Sequence, residues 1–121
     1  MLAVAYYRTS SRTNVGFDKD SLTRQQNSCR SWAKANGVQI VSEHYDEAVS
    51  GADPIDARDG FSSMLTAMAD NGATAILVES ASRFARDLSV QILGHQKLQE
   101  LGIQLIAVDS PTAFTEDTPT A

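Results

Sequence analysis

One cysteine, one tryptophan, two histidines and three prolines are all that this chain contains of those types, and several of these scarcities exclude a class of protein. A single thiol, Cys29, cannot close an internal disulfide. It fits a reducing cytoplasm and reads as a small core hydrophobe. No Cys/His cluster has zinc-ligand spacing. No apolar run approaches the ~20 residues of a bilayer-spanning helix, and the N-terminus lacks the basic-then-apolar pattern of a secretory signal. Base is also scarce: 10 Lys and Arg against 15 Asp and Glu leave a net charge of -5. Such a chain does not grip nucleic acid over its whole surface, although a local basic pocket stays open to it. Internal repeats and low-complexity linkers are absent.

What is present is an ordinary globular balance, 42% hydrophobic and 21% charged over 121 residues, enough for one domain with a core. Strand and helix patterns alternate. Leu2 to Tyr7 reads as a first, buried strand, followed by a polar loop from Arg12 to Asp20. Asp20 or Ser21 can cap a helix running to about Asn36, with an apolar stripe of Leu22, Cys29, Trp32 and Ala33. Val38 to Tyr45 predicts a second strand, with Val38, Ile40 and Ser42 on one face. A polar loop from Asp46 to Ala57 precedes a helix capped by Asp56, with Asp59 three residues on. Its stripe is Phe61, Met64, Leu65 and Met68. Ala73 to Val78 and Ile103 to Val108 are apolar strands on either side of a helix from about Arg86 to Leu101. Val90, Leu93, Leu98 and Leu101 form that helix's stripe. Leu88 and Ile92 lie partly off it, open to a subunit interface or to extra core contact. Gly37, Gly72 and Gly102 each follow a helix in the position where a left-handed residue ends it. The pattern predicts an α/β domain: a mainly parallel sheet of about four strands with helices on both faces.

Ligands of open parallel sheets bind beyond the carboxyl ends of the strands. That edge collects Arg8, Ser10, Ser11 and Arg12 after the first strand; Ser50, Gly51 and Arg58 after the second; Glu79, Ser82, Arg83 and Arg86 after the third. Five of the ten basic residues lie in these three loops. In an extended segment, residues two apart share a face, so Arg8 and Ser10 point together while Thr9 and Ser11 point away. If a helical turn begins near Ser82, Arg83 and Arg86 share a face as well. Guanidiniums bind phosphate oxygens in bidentate fashion and stay charged, and they ease ionisation of a nearby hydroxyl. Taken singly, a loop arginine is most often a solvated charge; three loops converging is a stronger signal. Tyr6 and Tyr7 read as packing residues, Ser50-Gly51 as a possible turn, and His44 and His95 as structural or surface residues.

Familiar sites are missing. There is no GxGxxG, no GxxxxGK[ST] and no G-x-S-x-G elbow, and no paired acids at the end of the first strand to hold magnesium. The residues point to attack on phosphorus by a hydroxyl, assisted by arginines rather than by a metal or cofactor.

The ordered series Tyr6-Tyr7-Arg8-Thr9-Ser10, Ser21-Leu22-x-x-Gln25, Ser50-Gly51, Arg58-x-Gly60-Phe61 and Ser82-Arg83-Phe84-Ala85-Arg86-Asp87 resembles the catalytic domain of the serine site-specific recombinases, the resolvase/invertase family. The likeness runs from residue 2 to about 108. It implies that Ser10 is the nucleophile, that Arg8, Arg58, Arg83 and Arg86 hold the phosphate, and that Gln25 and Ser50 support the site. It implies a DNA crossover site as partner, a homodimer that pairs into a synaptic tetramer, and no membrane. The expected setting is the cytoplasm of a bacterium, a phage host or a carrier of a mobile element. It also implies a long helix and a DNA-binding region after an exit loop at 109–121, so that residues 1–108 are a catalytic fragment. The family often has an aspartate where this chain has Ser82. Ser82 or Glu79 is then left to steady Arg83. A non-covalent phosphate- or nucleotide-binding domain and an inactive recombinase-like interaction domain are the alternatives. The first lacks its usual glycine-rich loop, and the second is expected to have lost several of the arginines.

Overall fold

The computed structural model describes residues 1–10 and 15–114, those of 15–20 by backbone alone. Ser11, Arg12 and the end of the exit loop lie outside the described residues. The elements are β1 (Leu2–Arg8), α1 (Val15–Ala35), β2 (Gln39–Asp46), a 3-10 turn (Ile55–Ala57), α2 (Asp59–Asn71), β3 (Ala75–Val78), a short α3 (Ala81–Phe84), α4 (Leu88–Glu100) and β4 (Gln104–Ala107). The four strands are parallel in the order β2-β1-β3-β4. Both faces of the sheet are covered, which is why β1 and β3 read as unbroken apolar runs. On one face α1 packs Cys29, Ala33, Leu22 and Trp32 against Ala3, Ala5, Tyr7, Ala75 and Leu77. On the other, Phe61, Met64 and Met68 of α2 and Leu98 of α4 cover Val4, Tyr6, Ile76, Val78 and Leu105. Cys29 is buried and free, and burial pushes its thiol up to about 12. Gly72, with φ +79°, ends α2 in the left-handed conformation expected of it.

Four expectations need correction. First, α1 begins at Val15, so Asp20 and Ser21 lie inside it and not at its start. Second, a bulge opposite Ala3/Val4 shifts the pairing from Ile40 to Ser42. A one-residue shift turns side chains to the other face. Ser42 therefore shares Val4's side of the sheet, not Ile40's. Third, the helical turn near Ser82 ends at Phe84, before Arg86, and is separate from the helix expected from about Arg86, which runs over Leu88–Glu100. Ala85 is extended between them, and Asp87 caps α4 by accepting from the Val90 amide at 3.1 Å. Fourth, Leu93 and Leu101 are 65% and 56% exposed. The buried line of α4 is Val90, Gly94 and Leu98, because the bare Gly94 lets the helix sit on Phe84. Leu88 and Ile92, at 68% and 49%, add nothing to the core.

The start of α2 is secured from outside the helix. Asp56 lies on the 3-10 turn, exposed and 3.8 Å from Lys97, and Arg58 at the cap position makes no side-chain cap. The capping carboxylate is Asp46, at the end of β2. It accepts from the Gly60 amide at 2.6 Å, the Phe61 amide at 3.0 Å and the Tyr6 hydroxyl at 2.8 Å. An acid only 5% exposed is tolerated because its oxygens are so bonded and face the positive end of a helix. Gly60 is required there: a Cβ would lie 2.6 Å from the Asp46 carboxylate. Asp46→Ala leaves the buried Tyr6 hydroxyl without its acceptor and removes the cap. The expected loss of stability is about 3 kcal/mol in urea unfolding. A loss below about 0.5 kcal/mol, the size of an ordinary surface change, would show that Asp46 does not hold β2 to α2.

Candidate active site

Arg8, the last residue of β1, is buried, and its guanidinium is the centre of the carboxyl edge. Nε donates to the Arg83 carbonyl at 3.0 Å and Nη2 to the Ser82 carbonyl at 2.8 Å. Nη1 donates to the Val49 carbonyl at 2.9 Å and to Ser10 Oγ at 2.6 Å. Four of its five N–H groups are thus used. Thr9 turns the other way. Its side chain is buried and pairs with the Tyr45 hydroxyl at 2.7 Å. The strand alternation therefore separates the hydroxyls as expected, with Ser10 exposed beside Arg8. Burial, with the charges of Arg58, Arg83 and Arg86, pulls the Arg8 guanidinium down to about 10, so it keeps its charge at neutral pH. A cation donating to Oγ stabilises the alkoxide form of Ser10 and leaves the O–H proton free to depart.

Gln25 fastens the same strand end from α1. Its side-chain oxygen accepts from the Arg8 amide at 3.2 Å and its nitrogen donates to the Arg8 carbonyl at 3.1 Å. The nitrogen also reaches Ser21 Oγ at 3.2 Å, one helical turn back. Ser21 is buried and accepts from Arg83 Nη2 at 2.6 Å, while Arg83 Nη1 reaches the Arg8 carbonyl at 3.3 Å. Gln25 and Arg83 thus meet on one peptide group.

Arg58 is 1% exposed and wholly engaged inside the protein. Nε and Nη2 donate to the Asp53 carbonyl at 3.2 and 3.0 Å and Nη1 to the Phe84 carbonyl at 2.5 Å, with longer contacts of 3.5 Å to the Tyr6 hydroxyl and the Gly51 carbonyl. It binds the β2 loop to the β3 loop, and its charge is felt at Arg8. Arg86 does not share a helical face with Arg83, because the helix stops at Phe84. It arrives by another route: its amide donates to the Gly51 carbonyl at 3.0 Å, leaving an exposed side chain beside Gly51. No hydrogen bond of that side chain exists among the described residues.

Ser50 and Ser82 are not turned to the Arg8 cluster. Ser50 Oγ accepts from the Ala52 amide at 3.1 Å and so closes its own turn; Ser82 Oγ pairs with Ser80 Oγ at 3.1 Å. It is the Ser82 carbonyl that serves the site. Gly51, next to Ser50, matters more. A Cβ there would lie 2.6 Å from Arg86 Cβ and 2.9 Å from Arg8 Nη2. Two side chains add to the expected set. Arg24 carries no sequence signal of a role. Ser21, a candidate cap and part of the Ser21-Leu22-x-x-Gln25 motif, joins the site through its i, i+4 spacing from Gln25, which places both on one face of α1. Among the described residues no three His, Cys, Asp or Glu side chains are placed to hold a metal ion, and no helix is long and apolar enough to cross a membrane.

Residues 3–121 match the family model described as the resolvase N-terminal domain. The chain belongs to that family, the serine recombinases of the resolvase/invertase type, and the sheet with its two helical layers is that family's catalytic-domain architecture. Solved structures agree. A resolvase family site-specific recombinase from Streptococcus pneumoniae is 26% identical with a TM-score of 0.73, over 90% of this chain and 72% of that one. The N-terminal catalytic domain of TP901-1 integrase has a TM-score of 0.74 at 20% identity, over 90% and 78%. The C-terminal catalytic domain of ISC1926 TnpA, an IS607-like serine recombinase, has a TM-score of 0.73 at 23%, over 89% and 67%; these last two likenesses bear on fold alone. No curated protein matches the chain at a significant level.

The crowding at Gly51 is directly testable. Gly51→Ala must push Arg86 or Arg8 aside, an overpacking expected to cost about 1–3 kcal/mol in denaturant unfolding. An unchanged midpoint would show that the β2 and β3 loops are not held in contact there.

Proposed function

We propose that this chain is the catalytic core of a DNA recombinase that cuts and rejoins strands through a covalent phosphoserine link. The observation that carries the proposal is the 2.6 Å bond from the buried Arg8 guanidinium to the exposed Ser10 hydroxyl, set among three further arginines. Like charges brought together at the edge of a sheet work against stability. Their gathering around one exposed hydroxyl has a use in stabilising charge on phosphate oxygens. In the proposed step Ser10 Oγ attacks a backbone phosphorus. The Oγ–P bond forms, the P–O3′ bond breaks, and the serine proton is balanced by the proton that ends on the freed 3′-hydroxyl. The 5′-phosphate stays on Ser10, so the energy of the phosphodiester is kept and resealing needs no ATP. Arg86 and the outer side of Arg83 take the non-bridging oxygens. Arg8 stabilises the alkoxide. Arg58 acts through its field, since its N–H groups are bonded internally. Gln25 supports the strand end; Ser50 and Ser82 contribute through their loops.

The partners on this reading are a DNA crossover site, a second copy of the chain, and a tetramer when two sites synapse. The exposed Leu88, Ile92, Leu93 and Leu101 supply apolar surface for such contacts. Residues 1–108 form the catalytic part and 109–121 lead toward the remaining parts, in a cytoplasmic protein of a bacterium, phage or mobile element.

Two measurements test the reading. With a site nicked to trap the intermediate, the intact protein is expected to form a protein–DNA adduct that survives detergent, and Ser10→Ala is expected to abolish it. Undiminished adduct in that variant would remove Ser10 as nucleophile. Residues 1–121 alone, with a net charge of -5, are expected to bind DNA weakly at physiological salt, in the non-specific range of roughly 10⁻⁴ M or weaker. Tight, sequence-selective binding by this piece would contradict the division of labour.

A further inference from the structure

Arg83 follows a serine, and the sequence leaves open which group steadies it. The Ser82 hydroxyl does not, because it pairs with Ser80. The carboxylate that reaches Arg83 is Glu79, four residues earlier in the bend after β3, with Oε1 3.5 Å from Arg83 Nε. Glu79 is held in turn by Arg24 of α1, whose Nε lies 2.6 Å from Oε2 and whose Nη2 lies 3.0 Å from Oε1. Oε1 is therefore shared between two guanidiniums. Their settings differ. The Arg24 side chain is 57% exposed, whereas those of Arg83 and Glu79 are 24% and 14% exposed. Charge pairing is worth more in the less solvated of the two contacts. Arg83 is thus gripped on three sides: Ser21 Oγ at Nη2, the Arg8 carbonyl at Nη1 and Glu79 at Nε.

We propose that Glu79 is a positioning residue of the recombination site, fixing the Arg83 guanidinium against the end of β1, and that Arg24, which also reaches Ser21 Oγ at 3.4 Å, orients Glu79 from α1. This rests on the function proposed above and extends it to a residue outside the arginine and serine set. The ion pair at Nε draws that edge of the guanidinium toward Glu79, while its two hydrogen bonds to Ser21 and the Arg8 carbonyl fix the other edge. A neutral amide at position 79 keeps the shape but gives up the charge, leaving Arg83 held by Ser21 and the Arg8 carbonyl alone. A weaker hold on a group that must meet a phosphate slows cleavage far more than it weakens binding of the whole DNA site.

The test uses the intact protein on the nicked site, measuring the rate of adduct formation and, separately, affinity for the site. Glu79→Gln is expected to slow adduct formation by about 10- to 100-fold with affinity changed less than about threefold. Arg24→Gln, which leaves the Glu79 charge in place, is expected to slow adduct formation only about two- to fivefold, clearly less than Glu79→Gln, with affinity again changed less than about threefold. Glu79→Asp, which keeps the charge on a shorter stem, is expected to fall between wild type and Glu79→Gln, and it carries the test should the amide variant fold poorly. Combining Glu79→Gln with Arg83→Ala is expected to be no slower than Arg83→Ala alone, since the two residues act as one unit. Equal losses from Arg24→Gln and Glu79→Gln would make the pair a simple tie between α1 and β3 and overturn the proposal. So would multiplicative losses in the double variant. An inactive wild-type protein would instead overturn the function proposed above, which keeps the two failures distinct.

Discussion

A single guanidinium, that of Arg8, decides the geometry of the carboxyl edge. Three loops leave this edge with irregular backbones, and irregular backbone carries carbonyls that need donors. Arg8 meets carbonyls of two of them, Val49 from the β2 loop and Ser82 and Arg83 from the β3 loop, and reaches Ser10 of its own β1 loop. Burying a charge costs heavily unless it is hydrogen-bonded. Here the planar fork of donors is matched by carbonyl oxygens, so the charge is retained and the loops are tied at once. Arg58 repeats the device with the carbonyls of Asp53 and Phe84.

From this follows a division among the arginines that their shared residue type conceals. Arg8 and Arg58 are framework, although charged. Arg83 is half framework, held to Ser21, the Arg8 carbonyl and Glu79. Arg86 alone has an exposed side chain with no bond among the described residues. On the function proposed above, framework cations still matter to chemistry, because they set a fixed positive field around Ser10 that needs no rearrangement when a negative group arrives. The acidic balance of the chain does not oppose this. Asp46 and Glu43 spend their charge elsewhere, on the start of α2 and on Arg30.

Much of the fold was legible. The strand-helix alternation, the glycines after each helix and the stripe of α2 all report local rules that act within a few residues. So does the separation of Ser10 from Thr9, which follows from the period of two in a strand. What escaped the sequence came from partners far along the chain or from missing side chains. The buried line of α4 runs through Gly94, which no apolar pattern marks. The bulge in β2 depends on the neighbouring strand. The cap of α2 comes from Asp46 rather than from the adjacent Asp56, because only Asp46 is delivered by the sheet to the helix's open amides.

The sequence by itself determined which groups reach the carboxyl edge, since strand ends and loop order assign Arg8, Ser10, Arg58, Arg83 and Arg86 to it. Only the tertiary structure decided how they divide the work. Arg8 meets the Arg83 carbonyl across 75 residues of chain, and Asp46 meets Gly60 across 14. No local periodicity encodes such pairings. They arise because parallel strands bring distant loops to one edge, where each buried donor must find an acceptor, and the acceptor it finds fixes whether an arginine holds the protein together or faces what the protein binds.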